Sequence, residues 1–162
     1  MLKKIKNFVI KTDRFLFKKF GSEKNIKYLE SSKEAKLIFS CLNDFENDTK
    51  VQFVGGCVRK ALYGEIIDDI DLATTLEPNE AKERLRKNNI KVIDTGIEHG
   101  TITAIVNKKS FEITTLRKDI STDGRHAKVE YTKDWNEDAK RRDLTINSIY
   151  ASIDGQIFDP HN

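Results

Sequence analysis

Two carboxylates two residues apart, Asp69 and Asp71, stand in the run Asp-Ile-Asp-Leu-Ala-Thr at positions 69–74. Strand alternation puts both on one face, with Ile70 and Leu72 on the other. Two hard oxygen ligands on one face suit Mg²⁺, as one ion or a pair, for in-line displacement at a phosphate. Upstream, Phe53-Val54-Gly55-Gly56-Cys57-Val58-Arg59 reads as strand, Gly-Gly turn and helix. Gly-Gly lets backbone amides approach a phosphate closely, and the helix that follows offers its positive N-terminus. Each element alone is a weak signal. Together, at this spacing and in strand context, they point to the handling of a nucleoside triphosphate.

A third acid extends the pattern. Glu112 lies in Ser-Phe-Glu-Ile-Thr-Thr-Leu-Arg at 110–117, where Glu112 and Thr114 alternate with Phe111 and Ile113. If this strand neighbours the Asp69–Asp71 strand, three carboxylates crowd one face and repel unless a cation joins them. The alternative for Glu112, taken alone, is a surface residue on an edge strand. A second cluster is Ala-Lys-Arg-Arg-Asp-Leu-Thr-Ile-Asn-Ser at 139–148. Asp143 and Asn147 are four apart and share a face if the segment is helical. Arg142 carries a charge suited to triphosphate oxygens. Asp143 and Asn147 suit a ribose hydroxyl. A cation-rich helix C-terminus, favoured by the helix dipole, explains the same residues.

The elements that must position these groups follow from periodicity and punctuation. Ser31 or Ser32 caps a helix running to about 46, with Leu37, Ile38, Cys41, Leu42 and Phe45 on one face. Val51–Val54 reads as a strand, 57–62 as a helix ended by Gly64, and 69–73 as a strand. Pro78 opens a helix to Lys87. Strands follow at 91–93 and Thr101–Val106, then a hairpin turn at 107–109 into a strand at 111–116. The polar stretch 118–128, with Gly124, reads as a mobile loop, and 136–142 as a helix. Short strands at 149–151 and 156–158 flank the hairpin signal Asp154-Gly155. This order argues for an α/β domain with a mixed sheet rather than a doubly wound parallel one.

The chain has 162 residues, enough for one domain with a core. No run approaches the roughly 18 apolar residues of a spanning helix. A membrane role is therefore not expected, and the cytoplasm is. Cys41 and Cys57 lack metal-ligand spacing and read as reduced thiols. Residues 1–27 hold nine Lys and Arg against Asp13 and Glu23, a net +7; with +3 overall, residues 28–162 carry −4. This basic arm, with Phe8, Phe15, Phe17 and Phe20, reads as an amphipathic helix packed on the domain with its lysines in solvent. Contact with an RNA backbone or an anionic surface is the alternative.

The Gly55-Gly56-Cys57-Val58-Arg59 and Asp69-Ile70-Asp71-Leu72-Ala73-Thr74 segments resemble the signature of the class II CCA-adding enzyme and bacterial poly(A) polymerase family. Further segments resemble its head-domain motifs in the same order: Thr95–Thr101 (Thr-Gly-Ile-Glu-His-Gly-Thr), 111–117, Thr-Asp-Gly-Arg-His at 122–126, and Arg-Arg-Asp-Leu-Thr-Ile-Asn at 141–147. The resemblance covers roughly residues 32 to 162. It implies a polymerase-β-like nucleotidyltransferase head, α+β, with a mixed sheet flanked by helices. It implies template-independent transfer of CMP or AMP from CTP or ATP to a tRNA or other RNA 3′ end by a two-Mg²⁺ mechanism. By it, Asp69 and Asp71 bind the metals and Glu112 is the acid on the neighbouring strand. Gly55, Gly56 and Arg59 match triphosphate contacts, and Arg142, Asp143 and Asn147 match nucleotide and ribose contacts. Asp123 and Arg125 fall in a loop that helps switch between nucleotides in the family, while His99 and His126 serve loop geometry.

Lys60 departs from the pattern. The family carries Asp or Asn there, and Lys60 is expected to point outward on its helix. Family members continue into neck, body and tail domains, with a base-selecting Glu-Asp-x-x-Arg motif in the neck. No such motif follows Arg142 here. The chain is thus expected to comprise a basic arm, 1–27, and a head domain, 28–162. Two alternatives stand beside the enzyme. One is a nucleotide- or RNA-binding fragment that needs a second chain. The other is a minimal nucleotidyltransferase acting on a protein or another acceptor. These motifs are shared by CCA-adding, A-adding and poly(A)-adding relatives.

Overall fold

Side-chain caps and left-handed turns set most of the element boundaries. The computed structural model describes residues 26–44, 46, 50–122 and 127–161. Of the arm 1–27, residues 1–25 lie outside the described residues, as do Phe45, Asp123, Arg125 and His126. Helix α1 spans Lys27–Ser31 and α2 spans Lys33–Leu42. The Ser32 hydroxyl accepts a hydrogen bond from the Ala35 N–H at 3.2 Å and caps α2. This helix stops at Leu42, short of the expected end near 46. The Asn43 side chain instead accepts from the Val51 N–H at 2.8 Å, which turns the chain into the sheet. Ala35, Ile38, Phe39 and Leu42 form the buried face, while Leu37, expected on it, is 42% exposed.

Strand β1 (Val51–Val54) leads into α3 (Gly56–Tyr63), which Gly64 terminates at φ +71°. β2 (Ile70–Thr74) begins one residue after Asp69, and α4 (Pro78–Lys87) carries Pro78 in its first turn. β3 (Lys91–Gly96) runs longer than expected. β4 (Thr101–Val106) and β5 (Lys109–Thr115) meet through Asn107 and Lys108, both at positive φ, a type I′-like pair that lets β5 start two residues early. β6 (Arg117–Thr122) and β7 (Ala127–Tyr131) follow, then α5 (Trp135–Lys140), a 3₁₀ turn (Thr145–Asn147), β8 (Tyr150–Ala151) and β9 (Ile157–Phe158).

The main sheet has seven strands in the order β3-β4-β5-β2-β1-β8-β9. β2 and β5 are parallel, and the other neighbours pair antiparallel. The fold is therefore the expected mixed α/β sheet with flanking helices. One apolar cluster takes Phe53, Leu72, Phe111 and Ile113 from the strands and Leu42, Leu62 and Leu85 from α2, α3 and α4. Each such fully buried side chain stabilises by about 1.5–3 kcal/mol relative to exposure. A smaller cluster, Val54, Ala73, Leu116, Ala139 and Tyr150, joins α5 to the sheet.

Within the 118–128 stretch, residues 118–122 and 127–128 are strand rather than the expected loop, and 123–126 lie outside the described residues. β6 and β7 form a separate two-stranded sheet, with Lys118 paired to Glu130 at 3.2 Å across it. Such a hairpin is held by its backbone ladder and cross-strand pairs, so it needs no apolar alternation.

Candidate active site

Asp71 lies in β2, and the parallel register sets it directly against Glu112 of β5. The neighbouring-strand condition posed by the sequence is thus met. Leu72 and Ile113, the next residues along, turn into the main cluster, so Asp71 and Glu112 point to the opposite face. Asp69, just before β2, and Glu112 are exposed, and Asp71 is half-buried. Burial pushes the Asp71 carboxyl up, and the Glu112 and Asp69 charges push it further; Arg142 and Lys60 oppose this without cancelling it. Among the described residues, no three His, Cys, Asp or Glu side chains gather as a metal cage.

Gly55 caps α3 at φ +72°, a conformation that L side chains rarely adopt. Its N–H donates to the Ile149 carbonyl at 3.1 Å, which seats the turn on the chain before β8. A Cβ built on Gly56 would meet nothing within 4 Å, so the start of α3 opens to solvent. The first N–H groups of a helix have no intrahelical acceptor and favour an anion. Cys57 bonds this turn to the sheet: its Sγ contacts the Val54 carbonyl at 3.3 Å and the Asp71 carbonyl at 3.5 Å. Burial pushes the Cys57 thiol up to about 11, which makes it a packing group rather than a nucleophile.

Arg59 on α3 donates to Asn147 Oδ1 at 2.5 Å. Asn147 ends the 3₁₀ turn, and its carbonyl would sit 3.5 Å from a Gly55 Cβ. Arg142 Nη1 would sit 3.9 Å from the same point. Gly55, Arg59, Arg142 and Asn147 therefore meet at one place. Asp143 and Asn147 do not share a helical face, however. α5 ends at Lys140, Leu144 is extended, and Asp143 is exposed. The Lys60 ammonium pairs with Asp68 at the rim, on the exposed side of α3. His99 closes a 3₁₀ turn (Ile97–His99), and its backbone carbonyl accepts from Arg117.

Sequence reasoning missed Asp138 and Tyr150. Asp138 is fully buried, and its carboxylate accepts from Arg141, Arg142 and the Tyr150 hydroxyl. Burial alone would push Asp138 up; the Arg142 and Arg141 charges and the Tyr150 hydroxyl outweigh it and bring it below the usual range. Burial and the Asp138 charge push the Tyr150 phenol up, so it stays a donor. The available signal was spacing, since Asp138 precedes Arg141 and Arg142 by three and four residues on a helix.

The fold is that of CCA-adding enzyme heads. A crystal structure of the Bacillus stearothermophilus CCA-adding enzyme in complex with CTP matches at TM-score 0.66 and 35% identity, over 79% of this chain and 29% of its own. A tRNA nucleotidyltransferase complexed with a primer tRNA and an incoming ATP analog matches at TM-score 0.53 and 28% identity, over 70% of this chain and 32% of its own. The chain belongs to the poly A polymerase head domain family, whose model matches residues 51–162. It is 51% identical over 114 residues to the human mitochondrial CCA tRNA nucleotidyltransferase 1, covering 70% of this chain and 26% of that protein. It is 39% identical over 137 residues to the CCA-adding enzyme of Lactobacillus delbrueckii, covering 83% of this chain and 33% of that protein.

Proposed function

We propose that this chain is the catalytic head of a template-independent RNA nucleotidyltransferase. It transfers CMP or AMP from CTP or ATP to the 3′ end of tRNA, adding or repairing CCA. The observation that carries the reading is the register of Asp71 against Glu112, on a strand bonded through Cys57 to the Gly-capped start of α3. The relatives solved with CTP, or with primer tRNA and an ATP analog, support the substrate class.

Asp69 and Asp71 would hold Mg²⁺, with Glu112 beside them. The donor set suits that ion: the groups are carboxylates, and burial with the Glu112 and Asp69 charges leaves Asp71 with a raised pKa. Mg²⁺ is commonly held by one or two carboxylates, with water and phosphate oxygens completing the shell. Bound Mg²⁺ would neutralise triphosphate charge and lower the pKa of the attacking hydroxyl. The open face at Gly56 and the first N–H groups of α3 receive the phosphates. Arg59 and Arg142 take the charge that develops on the departing pyrophosphate. Asn147 and Asp143 bond the ribose. The 3′ oxygen forms its bond to the α-phosphorus as the bond to the bridging oxygen of pyrophosphate breaks. A reducing compartment, the cytoplasm, suits the free thiols of Cys41 and Cys57. Among the described residues, no helix is long and apolar enough to cross a membrane.

The test is incorporation of labelled CTP and ATP, separately, onto tRNA ending before CCA, after C and after CC, with Mg²⁺. Transfer that disappears in Asp69→Ala and Asp71→Ala supports the reading. Transfer untouched in both overturns it. A second reading is favoured by length, since the chain covers only 26% and 33% of those two curated relatives. In that reading the head binds nucleotide, and transfer needs further domains from a longer chain or a second one. Its mark is Mg–CTP binding without transfer until those domains are added.

A further inference from the structure

Asp138 divides its two carboxylate oxygens between two tasks. Oδ1 accepts from Arg141 Nε at 2.9 Å, Arg141 Nη2 at 2.7 Å and the Arg117 N–H at 3.2 Å. Those bonds join α5 to the start of β6. Oδ2 accepts from Arg142 Nε at 3.1 Å, Arg142 Nη2 at 3.0 Å and the Tyr150 hydroxyl at 2.7 Å. The Arg142 guanidinium also lies over the Tyr150 ring, 5.6 Å from its centroid. A fork held along one edge and stacked on one face has a fixed plane. The nitrogen left over is Nη1, and it is the atom found 3.9 Å from a Gly55 Cβ position.

We infer that Asp138 is a positioning residue that, through Oδ2 and with Tyr150, locks Arg142 so that Nη1 is presented to the Gly55–Gly56 phosphate cradle. The inference rests on the triphosphate reading proposed above. It adds that the specificity for a triphosphate over a monophosphate is set from a buried carboxylate outside the cradle. A guanidinium with its plane already fixed loses less freedom when it captures a phosphate.

The experiment is calorimetric binding of Mg–CTP and of CMP to the full chain, as wild type, Asp138→Asn, Tyr150→Phe, Arg142→Ala and the Asp138→Asn/Arg142→Ala double variant. Asp138→Asn is expected to weaken Mg–CTP about tenfold, the size of one charge-assisted hydrogen bond, with CMP changed less than about twofold. Tyr150→Phe, which spares Oδ1, should move the same preference by less. The double variant should bind Mg–CTP no worse than Arg142→Ala alone, because groups that act through one another are not additive. Equal losses of CTP and CMP, or additive losses in the double variant, overturn the inference. If Asp138→Asn does not fold, an unchanged CTP preference in Tyr150→Phe overturns it. A wild-type chain without any preference for CTP over CMP overturns the triphosphate reading itself and the inference with it.

Discussion

The cradle and the acidic row are built on opposite electrostatic terms. At the cradle both guanidiniums already have a partner, and the turn is bonded in place. Arg59 is bonded to Asn147, Arg142 to Asp138, and Gly55 to Ile149. At the row, Asp69, Asp71 and Glu112 carry like charge on neighbouring positions, and burial together with the Glu112 and Asp69 charges raises the Asp71 pKa. The first region stands assembled before ligand arrives; the second costs folding energy that a bound cation would offset. Such a difference is expected where binding is preorganised and the electrostatic stabilisation is completed only by the bound reactants.

Three changes break or sharpen this contrast. Asp71→Asn should lower nucleotidyl transfer on the order of 10²–10³-fold, as loss of one preorganised electrostatic group does. Its thermal midpoint should hold or rise, because a carboxyl with a raised folded-state pKa destabilises the fold when ionised. A clear drop in the midpoint at neutral pH would contradict the cost assigned to the row. Asp138→Ala should do the reverse in kind. It strands two guanidiniums without their buried partner and should cost about 3–5 kcal/mol in urea unfolding. A loss well below that would mean the hub is not the anchor described. Asn147→Ala frees Arg59 and should weaken Mg–CTP binding roughly fivefold, the size of one hydrogen bond, with little change in midpoint. Unchanged affinity would remove Asn147 from the cradle.

The smallest effect lies far from both regions. Glu34 bonds its own backbone N–H, Asn107 and Lys109, which brings its pKa from 4.5 to about 2. A depressed folded-state pKa stabilises above the unfolded value and ceases to do so as pH falls through the folded one. Wild type should therefore lose part of its midpoint between pH 4.5 and about 2. Glu34→Gln should show a shallower fall in a thermal scan over that window. Parallel curves for the two proteins would refute the assignment.

Elements whose cause is local were legible in the sequence. Pro78 opens α4, Gly64 closes α3, and the β-branched alternation of Thr101–Val106 is a strand at those bounds. Glu112 lies beside Asp71 as the neighbouring-strand condition required, while Asp69 stands one residue before β2 rather than in the strand. What escaped depends on distant partners. Asp138 looks like an ordinary helical acid. Its burial comes from Tyr150 and from the Arg117 backbone, twelve and twenty-one residues away. The 136–142 stretch was expected to stay helical, but Asp138 draws Arg141 and Arg142 back onto itself as α5 ends at Lys140. On α2, Phe39 rather than Leu37 faces inward, because its ring packs on Phe53 at 4.8 Å. Periodicity alone allows either stripe.

The parallel β2–β5 contact also has a kinetic consequence. β3, β4 and β5 are joined in sequence by short turns and can zip as successive hairpins. β2 meets β5 only after the chain has passed through α4, β3 and β4, so its closure entropy is larger. The pairing that brings Asp71 against Glu112 therefore belongs to the late part of the folding reaction, after the local hairpins have formed. Repulsion between those carboxylates would then raise the barrier for that step without hindering the local hairpins.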